Sequence, residues 1–242
     1  MDFGTFFDGE IAQQERICLA SFLQHGHTVT VFSYRDLDLP ADIKRADAQA
    51  ILPRDAFWVI DTGPHAHRGS ASQFSDFFRY HMIKKTGLVW IDTDVFCLRS
   101  DWPDREFLWA WQGPCLVNGA VLRIPSDHPV LDEAIEAATR VGRLAIWGYT
   151  GPFLLTALVQ QHELQASVLP TESFYPLHWS EVRTLITPMG DGQKIVWPQQ
   201  SYSVHLWNEV LRMIGYNKIA GPPAGSPLAE LFDRVGLDGA AD

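Results

Sequence analysis

Residues 3–34 read FGTFFDGEIAQQERICLASFLQHGHTVTVFSY, and this stretch decides the fold. Phe3 to Phe7 is a short apolar strand. From Glu10 to His25, the residues Ile11, Ile17, Cys18, Leu19, Phe22 and Leu23 recur at near-helical spacing before Gly26, a residue suited to closing a helix. Thr28 to Tyr34 is β-branched and aromatic, the composition of a second strand. Strand, helix and strand at this spacing open a βαβ unit, whose strands run parallel when they share a sheet. The expected fold class is α/β.

Outward from this unit, Leu37 to Arg54 is polar and mixed, Phe57 to Ile60 is a short apolar run, and Gly63 to Gly69 is a loop by its glycine and proline content. Ser70 and Gln73 match a capping box, so a helix is expected from about Ala71 to Lys85, ended by Gly87. Leu88 to Ile91 is an apolar run closing on Asp92, the pattern of a buried parallel strand with acidic residues at its carboxyl end. Ligand sites of open α/β sheets lie at such ends. Further strands are expected at Phe107 to Trp111 and Cys115 to Ile124, and helices at Pro129 to Val141 and Gly151 to Gln161. Aromatic and histidine clusters follow at Phe174 to Trp179 and Val204 to Asn208. Residues 1–220 read as one catalytic-sized domain. Beyond the Gly221-Pro222-Pro223 hinge, residues 221–242 read as a C-terminal tail that packs late or frays.

With 242 residues, 46% of them hydrophobic, the chain can bury a sizeable core. A formal net charge of −10 argues against nucleic acid as a partner and against long-range attraction to an anionic membrane. An acidic protein that handles phosphates needs a cation. Cys18, Cys97 and Cys115 have neither metal-site spacing nor an even count, so buried reduced thiols and a reducing compartment are expected. No apolar run reaches the roughly 18 residues of a membrane span. The expected location is cytoplasmic, with peripheral contact at a membrane surface compatible with a local apolar or basic patch.

Asp92 and Asp94 flank Thr93 just after the expected strand, so their side chains emerge on one side of the chain. They are candidate ligands for Mg²⁺ or Mn²⁺, which take carboxylate oxygens and keep positions open for phosphate. The alternative is a pair of turn-forming aspartates. On the preceding helix Asp76, Arg79 and Tyr80 fall at i, i+3 and i+4, a polar face distinct from Phe74, Phe78 and Met82, with a surface ion pair as its plainer reading. His205 is a third candidate ligand, since imidazole suits Mn²⁺ better than Mg²⁺, against an alternative as an aromatic-cluster residue beside Trp207. Thr150 and Gly151 open an expected helix whose first amides face a ligand or simply start the helix. Asn118 is either a ligand contact or part of a bulge at Asn118-Gly119.

Ser75-Asp76-Phe77-Phe78-Arg79-Tyr80, then Gly87 and Trp90-Ile91-Asp92-Thr93-Asp94, resemble the glycosyltransferases with a DXD-containing sugar-binding region, relatives of the α-1,4-glycosyltransferases and initiating mannosyltransferases. Asn118-Gly119-Ala120, Trp147 to Pro152, Phe174 to Trp179 and His205-Leu206-Trp207 follow in the order of that family, so the resemblance runs from Phe3 to about Asn208. It implies a GT-A-like fold with a mostly parallel central sheet. The implied activity is metal-dependent retaining transfer of a sugar from a nucleotide-diphospho-sugar, UDP-linked by family leaning, to a carbohydrate or glycolipid acceptor. By resemblance Asp92 and Asp94 hold the metal, with His205 completing the site. Asp76, Arg79, Tyr80, Thr93, Asn118 and Trp207 approach the donor, and Thr150 and Gly151 lie on the acceptor side. Phe6 stands at a turn that is aromatic and His/Trp-rich in relatives, which makes it a donor-side candidate. Asp76 joins Asp92 and Asp94 as a candidate catalytic carboxylate.

Two other readings compete. Asp92-Thr93-Asp94-Val95 after an apolar strand also looks like the nucleophile motif of haloacid-dehalogenase-type phosphatases, but some ninety residues precede it and no later Asp-Asp pair follows. An inactive glycan-binding domain on the same fold is the non-enzymatic alternative.

Overall fold

The structure is a computed structural model that describes residues 1–60, 69–144, 146–190 and 192–236. The expected loop at 63–69 lies outside the described residues but for Gly69. Strand β1 (Asp2–Phe6) leads through helix α1 (Gln13–Gln24) to β2 (Thr28–Ser33), and the strands pair in parallel from Asp2 opposite Thr28 to Phe6 opposite Phe32. The βαβ reading holds. Ala12 precedes α1 and has no capping side chain, so Glu15 reaches back to accept the Ala12 N–H at 3.1 Å.

Strand β3 (Lys44–Asp47) adds to β2 in parallel at the sheet edge. Its sequence, KRAD, is largely exposed and carries no apolar alternation, so periodicity could not find it. Helix α2 (Ser72–Thr86) ends at a left-handed Gly87, as its sequence predicts. Its start differs from expectation. Ala71 is the cap residue without a side-chain bond, and the Ser70 hydroxyl accepts from the Ser72 N–H instead.

After α2 come β4 (Val89–Ile91), β5 (Val95–Cys97), β6 (Leu108–Trp111), β7 (Val117–Arg123) and α3 (Pro129–Val141). Then follow α4 (Leu154–Gln161), β8 (Ser203–His205), α5 (Asn208–Met213) and α6 (Pro227–Val235). The helix expected from Gly151 begins three residues later, because Tyr149–Phe153 is a wide turn in which Gly151 leaves helical angles (φ −100°, ψ −109°). The main sheet has the order β3-β2-β1-β4-β7-β6. Its first four strands are parallel, while β7 runs antiparallel to β4 and β6 antiparallel to β7. A separate antiparallel pair joins β5 to β8.

Both faces of the sheet are buried, and strand alternation divides the side chains between them. Phe3, Val29, Val31, Val89 and Ile91 point to the core shared with α1 and α6. Phe6, Phe32 and Trp90 point to the core under α2, α3 and α4. The segment expected to pack late or fray contributes α6, whose Leu228, Leu231, Phe232 and Val235 lie in the first of these cores. Among the thiols, Cys18 and Cys97 are buried as expected, whereas Cys115 is exposed; all three are free. Among the described residues no helix is long and apolar enough to cross a membrane.

Phe6, expected on the donor side, is 5% exposed, with its ring 4.6 Å from Phe78 and 5.2 Å from Phe74. It packs the second core. Phe6→Ala should lower unfolding stability by about 3–5 kcal/mol, the usual cost of deleting a buried ring. Urea denaturation measures this, and a loss below about 1 kcal/mol would contradict the packing role.

Candidate functional site

Strand β4 ends at Ile91, where the parallel half of the sheet meets β7. The Asp92 N–H donates to Ala120 O at 2.8 Å and Val95 N–H to Asp92 O at 3.1 Å, closing a tight turn between β4 and β5. Pairing of β5 with β8 sets Val95 opposite His205, and Leu206 N–H donates to Asp94 O at 2.9 Å. A residue from far down the chain is thereby brought to the Asp92 turn. His205 Nε2 lies 3.2 Å from Asp94 Oδ1, and one ligand atom each from Asp92, Asp94 and His205 falls within 4.8 Å of the others.

The donor set, two carboxylates and an imidazole, fits a divalent cation such as Mn²⁺. Asp92 is the more open member, its side chain 26% exposed, while Asp94 and His205 are buried. Burial pushes the Asp94 carboxyl up, but the His205 charge and hydrogen bonds from His205 and the Asn208 N–H outweigh it and hold the group below its ordinary range. Burial likewise pushes His205 down, and Asp94 more than reverses this, so the imidazole sits above its ordinary value. His205 Nδ1 is buried without a hydrogen-bond partner, and the ring is fixed instead by Trp207, 4.1 Å away.

A second charged group adjoins the first. The Arg79 guanidinium, buried, bridges Asp76 Oδ1 at 3.2 Å and Asp92 Oδ1 at 2.9 Å, and lies over the Trp90 ring at 5.1 Å. The Trp90 indole N–H donates to the same Asp92 oxygen at 2.6 Å. Asp92 is therefore oriented from α2 and from its own strand. The Thr150 hydroxyl donates to Asp76 Oδ2 at 3.2 Å. Burial, with Asp92 adding to it against the pull of Arg79 and Thr150, pushes Asp76 up to about 6.

Two glycines make room for this pair. A Cβ on Gly119 of β7 would overlap Arg79 Nη1, and one on Gly151 would stand 2.9 Å from Asp76 Oδ2. Neither glycine has a positive φ, so the demand is for space.

The remaining candidates divide. Thr93 is half-buried within the turn, between the two carboxylates in sequence. Asn118 lies beside the register irregularity between β6 and β7, accepts from the Ala120 N–H at 2.6 Å and donates to Gln112 Oε1 at 2.7 Å, so its amide serves the strand. Tyr80 is fully buried and donates to Thr150 O at 2.6 Å, a strut for the 149–153 turn. Trp207 is 9% exposed and donates its indole N–H to Leu177 O at 2.9 Å. Sequence reasoning placed Trp90 in an apolar run and in the quoted motif but gave it no role at the site. The alternation rule was the available signal, since Trp90 and Asp92 share a strand face. It also missed Asn208, whose backbone N–H holds Asp94 Oδ2 at 2.8 Å and which no local pattern marks.

The mostly parallel sheet, with the acidic turn at the end of β4 and the buried clusters around it, is consistent with a GT-A-like fold. Residues 123–221 match the α-1,4-glycosyltransferase conserved region, a stretch that includes Thr150, Gly151 and His205 and begins after Asp94. The chain is 29% identical over 189 residues to the α-1,4-N-acetylglucosaminyltransferase of Homo sapiens, covering 71% of this chain and 52% of that protein. It is 28% identical over 146 residues to the lactosylceramide 4-α-galactosyltransferase of Rattus norvegicus, covering 56% of this chain and 40% of that one, and 27% identical to its Mus musculus counterpart over the same length. The chain is similar to these α-1,4-glycosyltransferases, and its matches span about half or less of the length of these curated relatives.

The raised Asp76 pKa has a thermodynamic consequence. The folded state holds this proton more firmly than the unfolded chain, so the contribution favours folding at low pH and is lost as pH rises through about 6. Asp76→Asn removes this term. The stability of the variant relative to the parent should rise between pH 3 and pH 7 by about 3 kcal/mol, at 1.36 kcal/mol per pKa unit. Denaturation curves across that range test this, and parallel pH profiles would contradict it.

Proposed function

We propose that the domain is a divalent-metal-dependent, retaining glycosyltransferase that moves a hexosyl group from a nucleotide-diphospho-sugar, with UDP as the carrier, to a hydroxyl of a glycan or glycolipid. The observation that carries this reading is the convergence of Asp92, Asp94 and His205 from two distant parts of the chain. The relatives' names support an α-1,4 linkage and either a galactosyl or an N-acetylglucosaminyl donor.

Asp94 Oδ1, His205 Nε2 and a carboxylate oxygen of Asp92 would hold the cation, Mn²⁺ or Mg²⁺. When bound, it supplies positive charge to offset the departing nucleotide diphosphate. Arg79 keeps Asp92 in place and balances it, since both of its terminal nitrogens are engaged by carboxylates. Asp76, fixed by Arg79 and Thr150, stands where the donor's sugar hydroxyls would be met. Catalysis in this arrangement is positioning and electrostatic stabilisation, with no carboxylate required as a nucleophile.

Thr150 and Gly151 carry the acceptor side. The same segment exposes Leu144, Ile146, Trp147, Tyr149 and Phe153. Aromatic and aliphatic side chains together suit an acceptor presented at a lipid surface, so peripheral membrane contact belongs to this reading.

A panel of nucleotide sugars with Mn²⁺, read by nucleotide release, tests the assignment. The parent should release nucleotide from one donor and lose that activity on chelation. Asp94→Asn should lower the rate roughly a hundredfold or more, the several kcal/mol that a lost metal site removes. A parent that cleaves no donor, or an Asp94→Asn variant that equals the parent, overturns the proposal.

A further inference from the structure

From the side of Asp94 away from His205 runs a largely buried polar relay whose other members are not candidate ligands. Asp94 Oδ2 accepts the Asn208 N–H at 2.8 Å. That N–H is aimed inward because Trp207 adopts left-handed angles (φ 54°, ψ 51°), an uncommon conformation for a bulky residue. The Asn208 side chain is engaged at both ends: Oδ1 accepts from the Gln14 amide, and Nδ2 donates to Glu15 Oε1 at 3.0 Å. Glu15 is 1% exposed, bonds the Ala12 N–H through Oε2, and takes the Lys218 ammonium on Oε1. The sequence Lys218, Glu15, Asn208, Asp94 thus ties a C-terminal loop and the first turn of α1 to one oxygen of the Asp94 carboxylate.

Burying the Glu15 carboxylate against a part-exposed Lys218 returns little net stability, because desolvation of the carboxylate cancels much of the attraction. An apolar contact would join α1 to the 207–208 corner at less cost. What the charged pair adds is direction, since Glu15 can accept only where its oxygens point, and Asn208 is oriented in turn. From this geometry, resting on the reading of Asp92, Asp94 and His205 as a cation site, we infer that Glu15, Lys218 and Asn208 are positioning residues that fix the rotation of the Asp94 carboxylate, keeping Oδ1 turned toward the cation.

The test is Mn²⁺ affinity of the full chain, read from the paramagnetic resonance of free Mn²⁺ without any sugar donor, beside thermal unfolding of the metal-free protein. Asn208→Ala keeps the backbone N–H on Asp94 and removes only its orientation; Glu15→Gln keeps the shape and an acceptor but removes the charge. Each should weaken Mn²⁺ binding about ten- to a hundredfold in protein that remains folded, the usual effect of removing a partner of a metal ligand. Lys218→Met, changed at the more exposed end of the relay, should weaken it in the same direction and serves if either other variant fails to fold. Arg212→Ala, which breaks an exposed ion pair on α5, should leave affinity at the parent value. Lower melting temperatures with unchanged Mn²⁺ affinity in the folded variants would overturn the inference and leave the site reading standing. A parent that binds no Mn²⁺ would overturn both.

Discussion

The antiparallel pairing of Val95–Cys97 with Ser203–His205 is the constraint on which the rest of the site depends. Three residues on each side suffice, because every side chain in both strands is buried and the register puts Val95 opposite His205. Once that register is set, Leu206 bonds the Asp94 carbonyl, the His205 imidazole meets the Asp94 carboxylate, and Asn208 turns its backbone N–H onto the second carboxylate oxygen. A shift of one residue would turn His205 to the opposite face of the ribbon and dissolve the cluster.

The site concentrates charge in a small buried volume, and each group is held by another. One guanidinium serves two carboxylates, from α2 and from the turn after β4, and one imidazole balances a third. Such an arrangement is costly to desolvate and contributes little to folding. It persists because sheet alternation places Trp90 beneath Arg79, and because Gly119 and Gly151 leave the volume that the Asp76–Arg79 pair occupies. The stability that supports it comes from the two aromatic-rich cores on the faces of the sheet.

Much of this organisation was legible in sequence. The opening βαβ unit, the α2 face of Asp76 and Arg79, its Gly87 stop and the acidic end of β4 follow from periodicity and turn chemistry. His205 was readable as a candidate, but its meeting with Asp94 depends on a pairing between strands too short to announce themselves. The burial of Tyr80 was not readable, because i, i+4 spacing assigns a face without saying whether a neighbouring segment covers it, and Thr150 does. Phe6 was a candidate only through the turn that relatives have there, and nothing in its own sequence shows that its ring turns into the second core. The Glu15–Asn208 link could not be read at all, since nothing local to either residue names the other.

The central claim is that Asp92, Asp94 and His205 together form one cation site for a nucleotide-linked donor. Crystals grown with Mn²⁺ and a uridine diphosphate, measured by anomalous diffraction at the manganese edge, test it most directly. The account predicts one strong peak bonded to carboxylate oxygens of Asp92 and Asp94 and to His205 Nε2, with diphosphate oxygens completing the coordination. A peak bound elsewhere, or diphosphate seated without manganese at these three residues, would contradict it.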